Sequence, residues 1–436
     1  MNPVHIIGGG LAGSEAAYQL AKRNIPVIIY EMRPEVMTPA HSGGNFAELV
    51  CSNSLKSEAQ DTGSGLLKAE LELMDSMLIR IAKECRVPAG GSLAVDRDMF
   101  SAKVTETLSA MENVRIVRGE VRDIPADRPL IIASGPLTSD TLADKIKSLM
   151  GGGLYFFDAI SPIIDFDSVD MTKCYFKSRY GKGDPDYLNC PMTKDEYDAF
   201  YDALMEAEKV AFEDFEKMNV FEGCMPIEEM AARGRKTLAF GPLKPVGLEH
   251  PETDKRYYAV LQLRKENGEG TSYNLVGCQT KMKTGEQKRV FRMIPGLENA
   301  EFLRYGSVHR NTYINSPSGL DDRFRYAEGF YFAGQITGVE GYLESIASGL
   351  IAGYDLALRL SGGESRPFPK ECALGSLGLF VTDKYETTRK KYVPSSFHFG
   401  MLPALDERIK DKKLKKNMMA EKAVNALKDF LDNTEM

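Results

Sequence analysis

The sequence predicts an α/β fold in which a parallel-sheet domain is interrupted by an inserted α/β domain. Three observations carry that expectation: a glycine-rich turn between a strand and a helix near the N-terminus, two later strands that end in small residues, and a central stretch charged unlike its flanks. We expect residues 1–165 to form the first part of the main domain, 166–288 the insertion that faces substrate, and 289–436 the second part with C-terminal helices. A chain of 436 residues can bury two or three cores without disulfide or metal staples.

The first element is the buried strand around Val4-His5-Ile6-Ile7, followed by Gly8-Gly9-Gly10-Leu11-Ala12-Gly13 and a run of good helix formers from Ser14 to Ala21. A second strand, Val27-Ile28-Ile29-Tyr30, ends at Glu31. This is the order of a Rossmann-type dinucleotide site. Gly8 makes the tight turn, Gly10 lets a pyrophosphate approach the backbone, and Gly13 lets helix and strand pack closely. Leu11 and Ala12 open the helix whose positive end meets the phosphates. Glu31, 18 residues beyond Gly13, is placed to accept from a ribose diol and would repel a 2′-phosphate.

Two distant segments extend the pattern. Pro129-Leu130-Ile131-Ile132-Ala133-Ser134-Gly135-Pro136 is a strand ending in a small-residue turn. Gly329-Phe330-Tyr331-Phe332-Ala333-Gly334-Gln335 is another, followed by Gly338, Gly341, Tyr342 and a helix over 344–350. Together they resemble the glutathione-reductase-like layout, in which the chain leaves an FAD-binding domain and returns to it. That layout implies FAD, with Gly334, Gln335, Gly338 and Tyr342 near the cofactor.

Between these segments the charge is polarised. Residues 191–229 hold twelve Asp/Glu against three Lys/Arg, and 233–292 hold thirteen Lys/Arg against six Asp/Glu. The basic stretch reads equally as a phosphate-tracking face or as solvated strand edges. A further basic run, Arg408 to Lys416, is expected on a helix.

The net charge of −7 excludes a protein that simply coats nucleic acid, so any RNA contact is local. No apolar run is long enough to span a membrane, and no basic leader precedes Val4, so a cytoplasmic protein is expected. The seven cysteines, at 51, 85, 174, 190, 224, 278 and 372, include no CxxC pair, which argues for reduced thiols and against a metal site or a disulfide reductase.

Two of those thiols sit in unusual company. Cys51 lies in Glu48-Leu49-Val50-Cys51-Ser52-Asn53, and Cys224 in Glu222-Gly223-Cys224-Met225-Pro226. With the glycine loop, Phe240-Gly241-Pro242-Leu243-Lys244-Pro245, Tyr305-Gly306-Ser307-Val308-His309-Arg310 and Phe399-Gly400-Met401-Leu402-Pro403, these segments closely resemble the folate- and FAD-dependent tRNA uracil-5-methyltransferases. The likeness runs from residue 1 into the 400s.

The resemblance implies the chemistry. 5,10-Methylenetetrahydrofolate donates a one-carbon unit to reduced FAD, which passes it to C5 of a T-loop uridine in the T-arm of tRNA, with NADH or NADPH as reductant. Cys224 would add to C6 of the base, because a thiolate is a strong nucleophile and can later leave. Cys51 would act beside the flavin as acid–base or positioning thiol. His309 would stack on the folate pteridine, with His41 as the alternative. The base must leave its stack to react. No DNA partner and no membrane are expected, and the oligomeric state stays open. Three other readings remain: the same chemistry on ribosomal RNA, a plain FAD oxidoreductase on small molecules, and the related tRNA carboxymethylaminomethylation enzymes. The last do not match the Cys224 segment.

Overall fold

The computed structural model describes residues 2–433 except 152, 182, 211–224, 364, 385–391, 393 and 406; for 153–158, 309 and 310 it describes the backbone alone. Two six-stranded sheets organise the described residues, each with its own apolar core.

The first sheet runs in the order Arg325–Ala327, Phe330–Phe332, Leu130–Ile132, Val4–Ile7, Val27–Glu31, Val114–Arg118. All its pairings are parallel except that of the first two strands, and in register Ile6 lies opposite Ile29 on one side and Ile131 on the other. The strand at 330–332 therefore returns to the N-terminal sheet across about 200 intervening residues, as the sequence pattern predicts. These strands are short apolar runs because helices cover the sheet and both faces are buried.

Two of those helices cross at the centre, Leu11–Ala21 and the 19-residue Tyr342–Leu360. Their backbones come close enough that a side chain at Gly353 would put its Cβ 2.8 Å from the Ala16 carbonyl oxygen. Full burial of Leu20, Ile346 and Leu350 at this crossing stabilises the domain by roughly 1.5–3 kcal/mol per side chain. The C-terminal helices Ala373–Val381 and Lys412–Asp432 pack on Gly63–Leu73. The last of these carries Lys412, Lys413, Lys415 and Lys416 of the expected basic helix.

The second sheet is antiparallel, in the order Tyr175–Phe176, Leu188–Met192, Ala259–Lys265, Ser272–Leu275, Ile163–Asp165, Phe302–Arg304. Four of its strands fall within the 166–288 expected for the insertion. Ile163–Asp165 and Phe302–Arg304 lie on either side of those bounds and close the sheet. A two-stranded ribbon, Gly153–Ala159 with Val308–Ile314, stands at the passage between the two units.

The polarised charge of the insertion folds largely onto itself. Arg235 pairs with Asp198 and Asp202, Lys281 with Glu229, and Lys283 with Glu208. Arg264 is buried. Acidic partners on neighbouring elements thus neutralise part of the basic stretch 233–292.

Candidate active site: a nucleotide cleft ending at a thiol–phenol pair

In the first sheet the C-terminal strand ends open onto one cleft of about 1020 Å³, mouth included. The cleft lies where open α/β sheets bind nucleotides. Of the residues singled out by sequence, Gly8, Gly10, Leu11, Ala12, Glu31, Gly334, Gln335 and Tyr342 line it. Gly13 does not. Its Cβ would strike the Gly8 carbonyl, so it serves the close helix–strand packing. Gly338 also lies away from the cleft, capping the turn Gln335–Thr337 at φ 84°.

The cradle is made of backbone. Gly8 takes φ 105°, a conformation that favours glycine. A Cβ on Gly10 would meet nothing within 4 Å, so it would project into the open cleft. No side chain caps the first turn of Leu11–Ala21, which leaves its amide donors for an anionic ligand at the positive end of the helix. This open glycine cradle under an uncapped helix fits a dinucleotide pyrophosphate.

At one end of the cleft the Glu31 carboxylate accepts from the Gly9 amide at 2.9 Å and from Arg33 Nε at 2.9 Å. Burial raises its pKa, but the Arg33 bonds and charge and the Gly9 amide outweigh this and hold it below the usual carboxylate range. An ionised Glu31 is thus fixed beside the ribose position. His41 lines the same cleft, with Nδ1 2.6 Å from Thr38 Oγ1. Burial and the Arg33 charge push it down to about 4, so the ring is neutral at pH 7.

Beside the cleft, outside its lining, stands Cys51, whose neighbour Val50 and partner Tyr342 both line it. Tyr342 Oη accepts from the Cys51 amide at 2.9 Å and from the Ser52 amide at 3.1 Å, and lies 2.9 Å from Cys51 Sγ. With two amides on the oxygen, the phenol hydrogen is the one left to point at sulfur. Burial and the neighbouring thiol push the Tyr342 phenol well up, so it remains protonated.

Sequence reasoning missed the shell that holds this loop. Arg97 Nη1 donates to the Leu49 and Val50 carbonyls at 2.9 and 3.2 Å. Its Nε lies 2.6 Å from Glu266 Oε2 of the insertion. The N–H is not aimed at that oxygen, so the pair is ionic, and Arg97 Nη2 and both Glu266 oxygens make no hydrogen bond among the described residues. Arg264 donates to Asn53 Oδ1 at 2.8 Å and to Ser52 Oγ at 2.7 Å, while Asn53 donates to the Val95 and Lys265 carbonyls. No motif announces these residues, since Arg264 lies more than 200 positions from the loop it grips. The one available signal was the polar, hydroxyl-rich company of Cys51.

Cys224 lies outside the described residues, which resume at Met225. His309 sits in the strand Val308–Ile314, opposite Asp158, with its side chain outside the description. The groups of His, Cys, Asp and Glu that are described include no arrangement able to hold a metal ion. No described helix is long and apolar enough to cross a membrane.

Fold and cleft together define the class: a Rossmann-type nucleotide-binding protein with the split layout of flavoproteins. The family model for glucose inhibited division protein A matches residues 3–364. GidA of Aquifex aeolicus superposes with a TM-score of 0.69 at 15% identity, over 98% of this chain and 73% of that one, a likeness of fold. Sequence relatives narrow it further. Methylenetetrahydrofolate–tRNA-(uracil-5-)-methyltransferase TrmFO from Natranaerobius thermophilus is 53% identical over 98% of both chains. Those of Staphylococcus aureus (strain JH9), over 98% of both chains, and Lactobacillus gasseri, over 99% of both, are also 53% identical. This chain belongs to the TrmFO family.

Proposed function

We propose that this chain is a folate- and FAD-dependent methyltransferase that forms 5-methyluridine in the T-loop of tRNA. The observation that carries the reading is the Cys51–Tyr342 pair, whose phenol lines the nucleotide cleft, in a chain 53% identical along nearly its whole length to enzymes named for this reaction. FAD fits the glycine cradle, with its ribose toward Glu31, and when bound it supplies the carrier and the reducing equivalents for the one-carbon unit of 5,10-methylenetetrahydrofolate.

The protein's own groups do the rest. Cys224 adds to C6 of the uracil, which makes C5 nucleophilic. Cys51, accepting a hydrogen bond from Tyr342, takes the C5 proton, and Cys224 then departs to restore the ring. The Arg97 guanidinium holds the Leu49 and Val50 carbonyls and so fixes the thiol beside the cleft. His309 is the group we assign to the pteridine ring, since the cleft histidine, His41, is the one held by Thr38 among Arg33, Glu31 and Glu48. NADH or NADPH is the reductant, bound transiently, since the sequence offers no second GxGxxG turn for it. The place of action is the cytoplasm.

The test is methyl transfer from folate labelled in its methylene carbon to unmodified tRNA, with NADPH or NADH. Label at one T-loop uridine, lost in Cys224→Ala, supports the reading. Label confined to ribosomal RNA, or unchanged transfer by Cys224→Ala, overturns the substrate or the nucleophile respectively.

A further inference from the structure

The loop between the helices of the insertion and the strand Ala259–Lys265 exposes what soluble surfaces usually cover. Phe240 is 77% exposed and Val246 50%, and Tyr180 beside them is 57% exposed. Single exposed apolar residues are ordinary, but two on the short segment 240–246 and a third on the turn hydrogen-bonded to it mark a contact surface.

They are held there by design of the backbone. Tyr180 adopts φ 60°, ψ 21°, a left-handed conformation uncommon for a residue with a Cβ. Its amide donates to the Gly247 carbonyl at 3.0 Å, and its ring covers Gly247 so closely that a Cβ there would lie 2.6 Å from it. Arg179 Nη1 donates to the Lys244 and Val246 carbonyls at 2.8 and 2.6 Å, fixing the loop from the other side. The loop is also stitched to the sheet, where the Val260 amide donates to the Leu243 carbonyl at 2.9 Å.

The segment that carries Phe240 and Val246 is itself basic. From Met230 to Leu248 the sequence carries Arg233, Arg235, Lys236 and Lys244 and no carboxylate. Arg235 is tied to Asp198 and Asp202, but Lys236 and Lys244 make no ion pair among the described residues. Exposed aromatic rings on a segment that also carries cations suit unstacked nucleobases, whose faces stack on the rings while their phosphates meet the lysines.

The patch is also joined to the thiol site. Along Ala259–Lys265, Gln262 and Arg264 point to the same side of the sheet. Gln262 accepts from Arg179, which holds the loop, and Arg264 donates to Ser52 and Asn53, next to Cys51. Val260 and Arg264 are four residue steps apart, about 14 Å at strand rise, a span that a few nucleotides of single strand cover.

We infer that Phe240, Tyr180 and Val246 form a stacking platform for unpaired bases flanking the target uridine. The inference rests on the proposed RNA substrate and specifies which surface grips it. The test compares wild type with Phe240→Ala, Phe240→Trp and Tyr180→Ala, as full-length protein. It uses unmodified tRNA in a binding titration and in steady-state methyl transfer. Melting temperature and flavin spectrum serve as fold controls.

The expected result is tRNA affinity weakened about tenfold or more in Phe240→Ala. KM should rise with it and kcat change far less, and Phe240→Trp should bind within about twofold of wild type. Lys236→Ala should lower the salt slope of binding by about one unit. Wild-type affinity in both Phe240→Ala and Tyr180→Ala overturns the platform while leaving the methyltransferase reading intact. A change of oligomeric state in Phe240→Ala also overturns it, because the patch would then bind a second copy of the chain. Absence of any tRNA binding by wild type overturns both readings together.

Discussion

Around the parallel sheet the chain offers a ligand mainly its backbone, whereas the antiparallel sheet reaches the Cys51 loop through side chains. The cradle consists of a glycine in left-handed conformation, an open Cβ position and an uncapped helix. The thiol end depends on Arg97, Glu266, Arg264 and Asn53, drawn from both units and braced by a charge pair at 2.6 Å. A backbone cradle is local and survives change in its surroundings. A side-chain clamp across two units is cooperative, and losing one member strands the others in a place with little water. The contrast locates precision in the cradle and vulnerability in the clamp.

Gly10→Val strikes the cradle alone. Gly10 has φ −73°, ψ −170°, extended backbone that accepts a side chain, so the fold should persist while the new methyl groups occupy the phosphate position. Co-purified flavin should fall below detection with an unchanged melting temperature. A protein that keeps its flavin would mean the cofactor lies elsewhere.

Arg97→Met strikes the clamp. Removing one member of a buried pair leaves Glu266 uncompensated, and denaturant unfolding should show a loss of about 3–5 kcal/mol. The double variant Arg97→Met, Glu266→Leu should recover much of it. Equal losses in single and double variants would deny the coupling between the two units.

Tyr342→Phe is milder. The Cys51 and Ser52 amides lose their acceptor, at a cost of about 1–3 kcal/mol, and Sγ loses its donor. Without that hydrogen bond the thiol is less firmly placed, and kcat should fall by up to about tenfold with KM little changed. An unchanged kcat would leave the phenol with a packing role only.

The smallest effect lies away from both regions. Glu70 accepts from the Ala373 and Leu374 amides at 2.7 and 2.9 Å, yet burial pushes its carboxyl from the usual 4.5 up to about 8. The protonated form is the one the fold prefers. Its contribution is complete below about pH 4.5 and is lost as pH rises through about 8. Glu70→Gln should therefore flatten the decline in denaturant midpoint between pH 6 and 9. Parallel declines would show that other groups set it.

The same division explains what could be read beforehand. Gly8, Gly10, Leu11, Ala12, Glu31, Gly334, Gln335 and Tyr342 line the cleft as the motifs imply, because a phosphate cradle needs particular backbone shapes at fixed spacing and few residue types supply them. Gly338 misled, since a glycine required by a turn looks the same in sequence as one required by a ligand. The basic stretch was open to two readings, and the fold narrows them. Opposite charges far apart in sequence find each other when the sheet forms, and Lys236 and Lys244 make no ion pair among the described residues.

By itself, then, the sequence determined the parallel sheet, its nucleotide turn and the return of the chain near residue 330, since local propensity and short-range spacing encode all three. Tertiary structure alone decided that Tyr342 donates to Cys51, that Arg97 and Glu266 brace the loop between two units, and which cations remain for a partner. Those outcomes depend on contacts between residues as much as 291 positions apart. Such contacts form only when both sheets have packed, and packing leaves no periodic mark in the order of the amino acids.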